Sequence, residues 1–539
     1  MCVSDVPKWQ LSYFYTLNKT SSSSVVAVIV GVRAAVRLIE RRITTGEQIS
    51  MIPAPTLNRA TILRRNEFIS SLQKRVPNGR VIGAEQDRRV YAGDAFMPYR
   101  AVPLAVVLPS SVREVSDVLR FCYEQGIKVY PRGAGTSLVG GAVGSEDGIV
   151  LCVSRMNSVL EIDTFDRLVS VQAGVTNDEV ARAAVAKGLC YMPDPASRSA
   201  STIGGNIATD AGGARAARLG ATGRHVLALK VVLIDGEVID IGGGELEHAG
   251  LNVQALFSGG EGLIGVVVEA TLRLMPPPAG IRLMLLGFPS MSGALSCAGA
   301  MSDAGITPRA LELIDRQTAK VCEQFMPAGL PLEPEVLLAV EFEGESDELA
   351  EQSAAILRLA DGYGTSQWLE ITGPDEIART WQSWGAALTA LARLGPLRST
   401  DIAVPPARLP SALAQIGEIA ARYGLRGANL CRAGDGIIQS VLFYEPDDGD
   451  EEEGRVAAAM AEIAKTATEV GGAISAEHGI GVAKREMLEL SFRPSDMALQ
   501  SRLKSAFDPE WLLNHGKVFP LAEQTAAVAQ PVQFGREQG

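Results

Sequence analysis

The residues best suited to chemistry sit in three glycine-rich segments: 131–141 (PRGAGTSLVGG), 193–213 (PDPASRSASTIGGNIATDAGG) and 259–265 (GGEGLIG). Glycine lets backbone N–H groups converge on an anion without side-chain obstruction, and such nests bind phosphates. Each segment taken singly also reads as an ordinary tight turn. The first does not follow the G-x-G-x-x-G dinucleotide pattern. Gly133-x-Gly135 is followed by Leu138 where the third glycine belongs, and the residues after it cannot open a helix. Nor is it a Walker loop, because no Lys follows the glycines. The four histidines (His225, His248, His478, His515) lie far apart, and the seven cysteines are scattered without a C-x-x-C pair. That argues against a His/Cys zinc site and against a disulfide scaffold.

The elements that must hold these segments follow from local patterning. Residues 102–109 read as a strand, and Ser111-x-x-Glu114 as a capping box opening a helix with Val115, Val118, Leu119 and Cys122 on one face. Gly126 stops that helix, and a strand at 127–130 feeds the first glycine segment. The same grammar returns as a strand at 168–173, a capping box Thr176-x-x-Glu179, an Ala-rich helix, Gly188 and a strand at 189–192. Residues 228–241 read as a hairpin turned at Asp235-Gly236, and prolines at 276–278 mark a boundary. Beyond it, strands such as 337–342 alternate with helices near 346–360 and 407–423. The run EPDDGDEEEG at 445–454 reads as a solvated surface loop.

The chain has 539 residues with 50 Lys+Arg against 62 Asp+Glu, a formal net charge of −12. The length implies several domains. The acidic balance argues against a nucleic-acid binder, which needs a basic surface. Residues 1–55 form an atypical N-terminal extension, with an apolar run at 25–32 that is too short to span a bilayer. Three readings stand: a targeting segment, an amphipathic surface helix, or an untranslated leader with Met51 as the start.

Order and spacing of the three glycine segments resemble the FAD domain of the vanillyl-alcohol oxidase/p-cresol methylhydroxylase superfamily, in its glycolate oxidase flavin subunit and D-lactate/D-2-hydroxyglutarate dehydrogenase branch. The motifs RGAGTSLVGG, TIGGN, LFSGGEGLIGVV, SAEHGIG and FDPEWLLNHGK fall in family order across residues 64–520. The resemblance implies an α+β fold. A two-subdomain FAD-binding domain of the p-cresol methylhydroxylase type (56–279) would precede an α+β substrate or cap domain (280–475). A C-terminal helical return (476–522) would complete the site, before a disordered tail (523–539).

The resemblance also implies the cofactor and its residues. FAD would be cradled by Arg132, Gly133, Ala134, Gly135, Thr136 and Ser137, and by Pro193, Asp194, Ser197, Thr202, Gly204 and Gly205. Glu261, Gly265 and Val266 would lie near the adenosine and flavin, and Asn514 would touch the flavin. The first two loops contain no His or Cys, which implies non-covalent FAD. His478 in Ser475-Ala-Glu-His would be the base in oxidation of a D-2-hydroxy acid to the 2-oxo acid, since imidazole titrates near working pH. Electrons would pass to a non-NAD acceptor. Without a Cys cluster for an internal centre, that acceptor would be a separate iron–sulfur or other electron-transfer subunit. A cytoplasmic chain, peripheral at a membrane, and a homodimer are both compatible with this reading.

Departures from the family pattern are equally informative. The metal-holding H-A-G-D-G-N-L-H segment reads Arg432-Ala-Gly-Asp-Gly-Ile-Ile-Gln439 here, leaving only Glu477 of the implied ligand set. A cation beside one carboxylate repels a metal, so no catalytic metal is expected. Arg432 is the natural replacement as a carboxylate clamp, pairing with Glu477 when the site is empty. A structural ion pair in a degenerate site is the competing reading. The substrate-binding W-x-x-R reads Trp381-Gln-Ser-Trp384, which raises the question whether Trp384 blocks the FAD face of the site; Ser399, with Arg398 adjacent, replaces a basic residue. Two further functions therefore stay open: a non-catalytic flavoprotein subunit, and a flavin oxidase of a neutral alcohol or polyol.

Overall fold

A computed structural model describes residues 52–243, 250–445, 450–522 and 524. Most of the N-terminal extension, His248, part of the acidic run and most of the tail lie outside the described residues.

The N-terminal half builds two sheets on one core. The first contains β1 (Arg80–Ile82), β2 (Ala105–Leu108), β3 (Lys128–Arg132) and β4 (Gly148–Cys152) in the order β1-β2-β4-β3. The last three are parallel. Strands β2 (AVVL) and β4 (GIVLC) are buried throughout, as unbroken apolar runs covered on both faces should be. The crossover helix Val112–Gln125 is stopped by Gly126 in the left-handed region (φ 62°). Only half of its expected capping box forms. Ser111 accepts from the Glu114 N–H, but the Glu114 carboxylate accepts from the backbone of Ser110, Asn78 and Gly79, tying the helix start to the strand below it. The Thr176–Glu179 capping box is complete.

The second sheet holds β5 (Val159–Asp163), β6 (Leu168–Gln172), β7 (Val226–Val232), β8 (Val238–Gly242) and β9 (Val266–Arg273), all antiparallel in the order β5-β6-β9-β7-β8. The β7–β8 hairpin turns at Gly236 (φ 84°). The strand expected at 189–192 is reduced to one bridge, Cys190 to Met275.

The cap domain is a seven-stranded antiparallel sheet of β10 (Ile281–Phe288), β11 (Ala310–Asp315), β12 (Val336–Glu343), β13 (Gln367–Ile371), β14 (Leu397–Ala403), β15 (Arg426–Arg432) and β16 (Ile437–Phe443), in the order β13-β10-β12-β11-β15-β16-β14. Met284 and Leu286 belong to one apolar cluster, Leu283 and Leu285 to another, so both faces of the sheet are covered. The acidic run is not wholly a solvated loop: helix Asp450–Glu469 begins within it, and Glu453 pairs with Arg398 at 2.6 Å.

The closing segment returns to the first sheet. Val129 N–H donates to Leu512 O (2.9 Å) and Asn514 N–H to Val129 O (2.7 Å), adding a parallel bridge beside β3. Gln524, at the start of the expected tail, is buried and accepts from Gly516 N–H at 2.8 Å. Among the described residues no helix is long and apolar enough to cross a membrane.

Candidate active site and cofactor cleft

The three glycine segments, up to about 130 positions apart in the chain, converge on one cleft. It encloses about 520 Å³ including its open mouth and is lined by Arg132, Gly133, Gly204, Gly205, Gly265 and Val266, with Val153, Ala208 and Phe257 closing the apolar wall. Of the last three, Val153 lies outside every glycine segment. A Cβ at Gly133 would collide with the Thr202 hydroxyl, and one at Gly204 would lie 2.8 Å from the Ala173 side chain. A Cβ at Gly205 would meet only Thr202 Oγ1, at 3.3 Å, so this glycine opens onto free space. Two buried amide atoms of the surrounding segments, Asn206 Nδ2 and Asn514 Oδ1, have no partner among the described residues. A bound polar molecule commonly completes such groups. The glycine-floored cleft thus fits part of a dinucleotide such as FAD.

Several side chains expected at the cofactor have other duties. Arg132 is buried, and its guanidinium donates to the carbonyls of Gly93 (2.9 Å) and Ala142 (3.2 Å), so it props the loop from behind. Ser137 Oγ accepts from the Gly141 N–H at 3.0 Å and Thr202 Oγ1 from the Gly205 N–H at 3.3 Å, so both shape loops. Ala134, Gly135 and Thr136 belong to the same loop, and Pro193 and Ser197 to the turn before Thr202, outside the cleft lining. The Glu261 carboxylate is committed to the N–H groups of Ile480 (2.6 Å) and Gly481 (2.9 Å), and its carbonyl accepts from Asn514 Nδ2 (2.6 Å). Glu261 therefore staples the third glycine segment, whose Gly260 and Gly262 line the cleft, to the loop carrying His478.

On that loop, His478 Nδ1 lies 3.2 Å from Asp401 Oδ1. Asp401, on β14, also accepts through Oδ2 from the N–H groups of Ala476 (2.8 Å), Glu477 (2.7 Å) and His478 (3.0 Å), and pairs with the buried Lys484 ammonium. Burial alone would push its carboxyl up. The charges of His478 and Lys484, with the backbone donors, outweigh that and hold it well below the usual carboxylate range. Sequence reasoning did not single out Asp401 as functional; its only signal is an acid inside an otherwise apolar strand end.

Arg432 ends β15 directly opposite Glu312 of β11 in the sheet register. Its Nε donates to Glu312 Oε1 at 3.0 Å and its Nη1 pairs with Glu477 Oε1. Burial and the neighbouring acids raise Glu312 to about 7, against the pull of Arg432. Gln439, at the second departed metal position, donates to Ser399 Oγ at 3.1 Å. With a guanidinium already seated between the two carboxylates, these residues do not fit a divalent metal. Arg398 is turned to Glu453 and is not available to an anion here.

Trp384 does not reach this site. Its helix, Pro374–Gly385, turns it into the cap core beside Leu283, Leu337 and Ile377, where it makes an edge contact with Trp381 at 6.0 Å. Buried in that core, its indole presents almost no surface to a substrate or cofactor. Trp381 instead donates to Glu341 Oε2 at 2.6 Å. Arg215, another residue that sequence reasoning passed over, holds Glu341 through two bonds (2.6 and 2.7 Å) and Asp194 through a third (2.5 Å). Asp194 is thus part of a latch from the FAD-binding half to the cap sheet, with its carboxylate engaged by that arginine.

Comparisons with known proteins agree with this architecture. The family described as "FAD binding domain" matches residues 103–242, and "FAD linked oxidases, C-terminal domain" matches residues 277–518. The chain is 33% identical to the glycolate oxidase subunit GlcD of Escherichia coli (strain K12), over 86% of this chain and 93% of that protein. It is 36% identical to GlcD of Bacillus subtilis (strain 168), over 82% and 94%. Its identity to the D-lactate dehydrogenase of Archaeoglobus fulgidus is 35%, over 78% and 92%. Among solved structures, substrate-bound p-cresol methylhydroxylase superposes with a TM-score of 0.71 at 16% identity, covering 86% of this chain and 98% of that one. The 4-ethylphenol oxidase of Gulosibacter chungangensis gives 0.70 at 17%, over 87% and 99%. The α+β fold is therefore of the p-cresol methylhydroxylase type.

Proposed function

Because the chain belongs to the FAD-linked oxidase family, and is thus an FAD-dependent oxidoreductase, we propose that it oxidises a D-2-hydroxy acid of the glycolate or D-lactate type to the 2-oxo acid. The observation that carries this reading is the His478–Asp401 pair on a loop stapled by Glu261 to the cofactor cleft. Bound FAD would supply the acceptor for the hydride that leaves C2.

The chain's own residues do the rest. With Nδ1 facing Asp401, His478 keeps Nε2 free as the base for the substrate hydroxyl proton, and the Asp401 carboxylate stabilises the imidazolium that forms. Arg432 offers a permanent cation to the substrate carboxylate in place of a metal. The cleft lining contains no His or Cys, which supports a non-covalent flavin. The described cysteines are free and mostly buried, which supports a separate electron-transfer subunit as acceptor. That GlcD is named a subunit is in keeping with this.

The test is anaerobic mixing of the yellow protein with a panel of hydroxy acids and polyols. Bleaching of the flavin by a D-2-hydroxy acid, with a raised KM in Arg432→Ala, is expected. Bleaching by polyols alone, or by nothing in the panel, would overturn the assignment in favour of a neutral-alcohol oxidase or a non-catalytic subunit respectively.

A further inference from the structure

We infer that Glu312 is a resident occupant of the Arg432 clamp, the group that the substrate's carboxylate replaces, and so the residue that sets this site's affinity for its anionic substrate. The inference rests on the hydroxy-acid reading and names the residue that reading leaves out.

A guanidinium presents a limited set of donor edges, and two of those of Arg432 are already used by the chain's own carboxylates. Glu312 takes Nε at 3.0 Å and Glu477 takes Nη1. An incoming carboxylate would be the third anion on one cation, with Asp435 also close enough to raise the energy of each of them. One resident must therefore give way.

The two residents are not held alike. Glu477 belongs to the loop pinned by Asp401, to which its own N–H donates at 2.7 Å, and its Oε1 lies against Gly212, where an added Cβ would come within 2.7 Å. The Glu312 carboxylate has a single hydrogen-bond partner among the described residues, Arg432 Nε. It hangs from β11 by its side chain alone, so a change of rotamer releases it without moving the backbone. Glu477, Asp435 and Asp194 all repel it, which lowers the cost of its departure. A substrate carboxylate that takes the vacated edge restores the charge-assisted bond, whereas a neutral hydroxyl replaces it poorly. Glu312 thus discriminates against polyols while weakening the binding of the acids that are accepted.

The experiment is a titration of the flavin absorbance of the holoprotein with oxalate, a dianion that cannot be oxidised, alongside steady-state kinetics with whichever hydroxy acid bleaches the flavin. Glu312→Gln should lower the oxalate Kd about tenfold and lower KM by a similar factor, with a smaller change in kcat. An oxalate Kd that is unchanged or raised in Glu312→Gln, with flavin content and melting temperature retained, would show that Glu312 merely positions Arg432 and would overturn the inference. If that variant loses its flavin, Glu312→Asp, which retracts the carboxylate by one methylene, decides: tighter oxalate binding supports the inference and unchanged binding overturns it. The oxalate titration needs no turnover. Failure of the wild type to be reduced by any hydroxy acid therefore bears on the proposed function separately.

Discussion

His478 Nδ1 and Asp401 Oδ1 stand 3.2 Å apart, and the same aspartate gathers three backbone N–H groups of the loop that carries the histidine. One carboxylate therefore fixes both the path of the loop and the tautomer of its imidazole. Asp401→Asn should keep most of the loop contacts while losing the charge that favours the imidazolium. The expected result is a fall in kcat of about 10² or more with a small change in KM. Stopped-flow flavin reduction against substrate concentration checks both, and an unchanged rate would leave Asp401 with only its loop-shaping role.

Flavin retention should depend on the floor of the cleft. A Cβ at Gly133 collides with Thr202 Oγ1, which itself caps the next glycine segment. Gly133→Ala should therefore push the first loop away from the second and purify with much less flavin, read as the ratio of visible to ultraviolet absorbance. Gly299→Ala, on a helix where nothing lies within 4 Å, is the control. It should retain flavin and gain about 0.5–1 kcal/mol of stability from helix propensity.

The latch between the FAD-binding half and the cap centres on Glu341, which is fully buried and receives Arg215, Trp381 and, at 3.4 Å, Arg309. Glu341→Ala would remove the counter-ion that two arginines share, leaving Arg215 with Asp194 alone and Arg309 with Glu343 alone, and should lower the melting temperature, at a cost below the ~3–5 kcal/mol of a fully unpaired buried charge. Removing a charge from both sides, as in Glu341→Met with Arg309→Met, leaves Arg215 paired with Asp194 and Glu343 with Arg218, and should recover part of that loss. A double variant no more stable than Glu341→Ala would refute this account.

What the sequence disclosed, and what it hid, divides by distance along the chain. The glycine segments, the 228–241 hairpin and the Thr176–Glu179 box are local signals, and the structure contains all of them. Asp401 meets His478 across 77 residues and Glu261 meets Ile480 across 219, so no spacing rule could pair them. Local reading also errs where a face is ambiguous. Trp381 and Trp384 sit three apart on one helix, yet only Trp381 reaches the latch while Trp384 is spent on the core. Glu261 and Asp194 lie in the right segments, but the ties that occupy their carboxylates come from the far end of the chain and from Arg215.

His515 offers a test of acid sensitivity. It is partly buried, and its Nδ1 lies 3.1 Å from Trp511 O. Burial and the nearby Lys128 lower its pKa from 6.5 to about 4, against that hydrogen bond. The unfolded chain therefore binds a proton below about 6.5 that the folded chain refuses until about 4, so stability falls as pH drops through that window. The size of the effect is bounded at roughly 3 kcal/mol by the shift. His515→Gln removes this proton and should flatten the melting temperature between pH 7 and pH 4.5 relative to the wild type. Buried His225, lowered by desolvation in the same sense, is kept in both proteins and cancels in the comparison. Parallel melting curves for the two proteins across that range would show that His515 is already accessible to protons in the folded state.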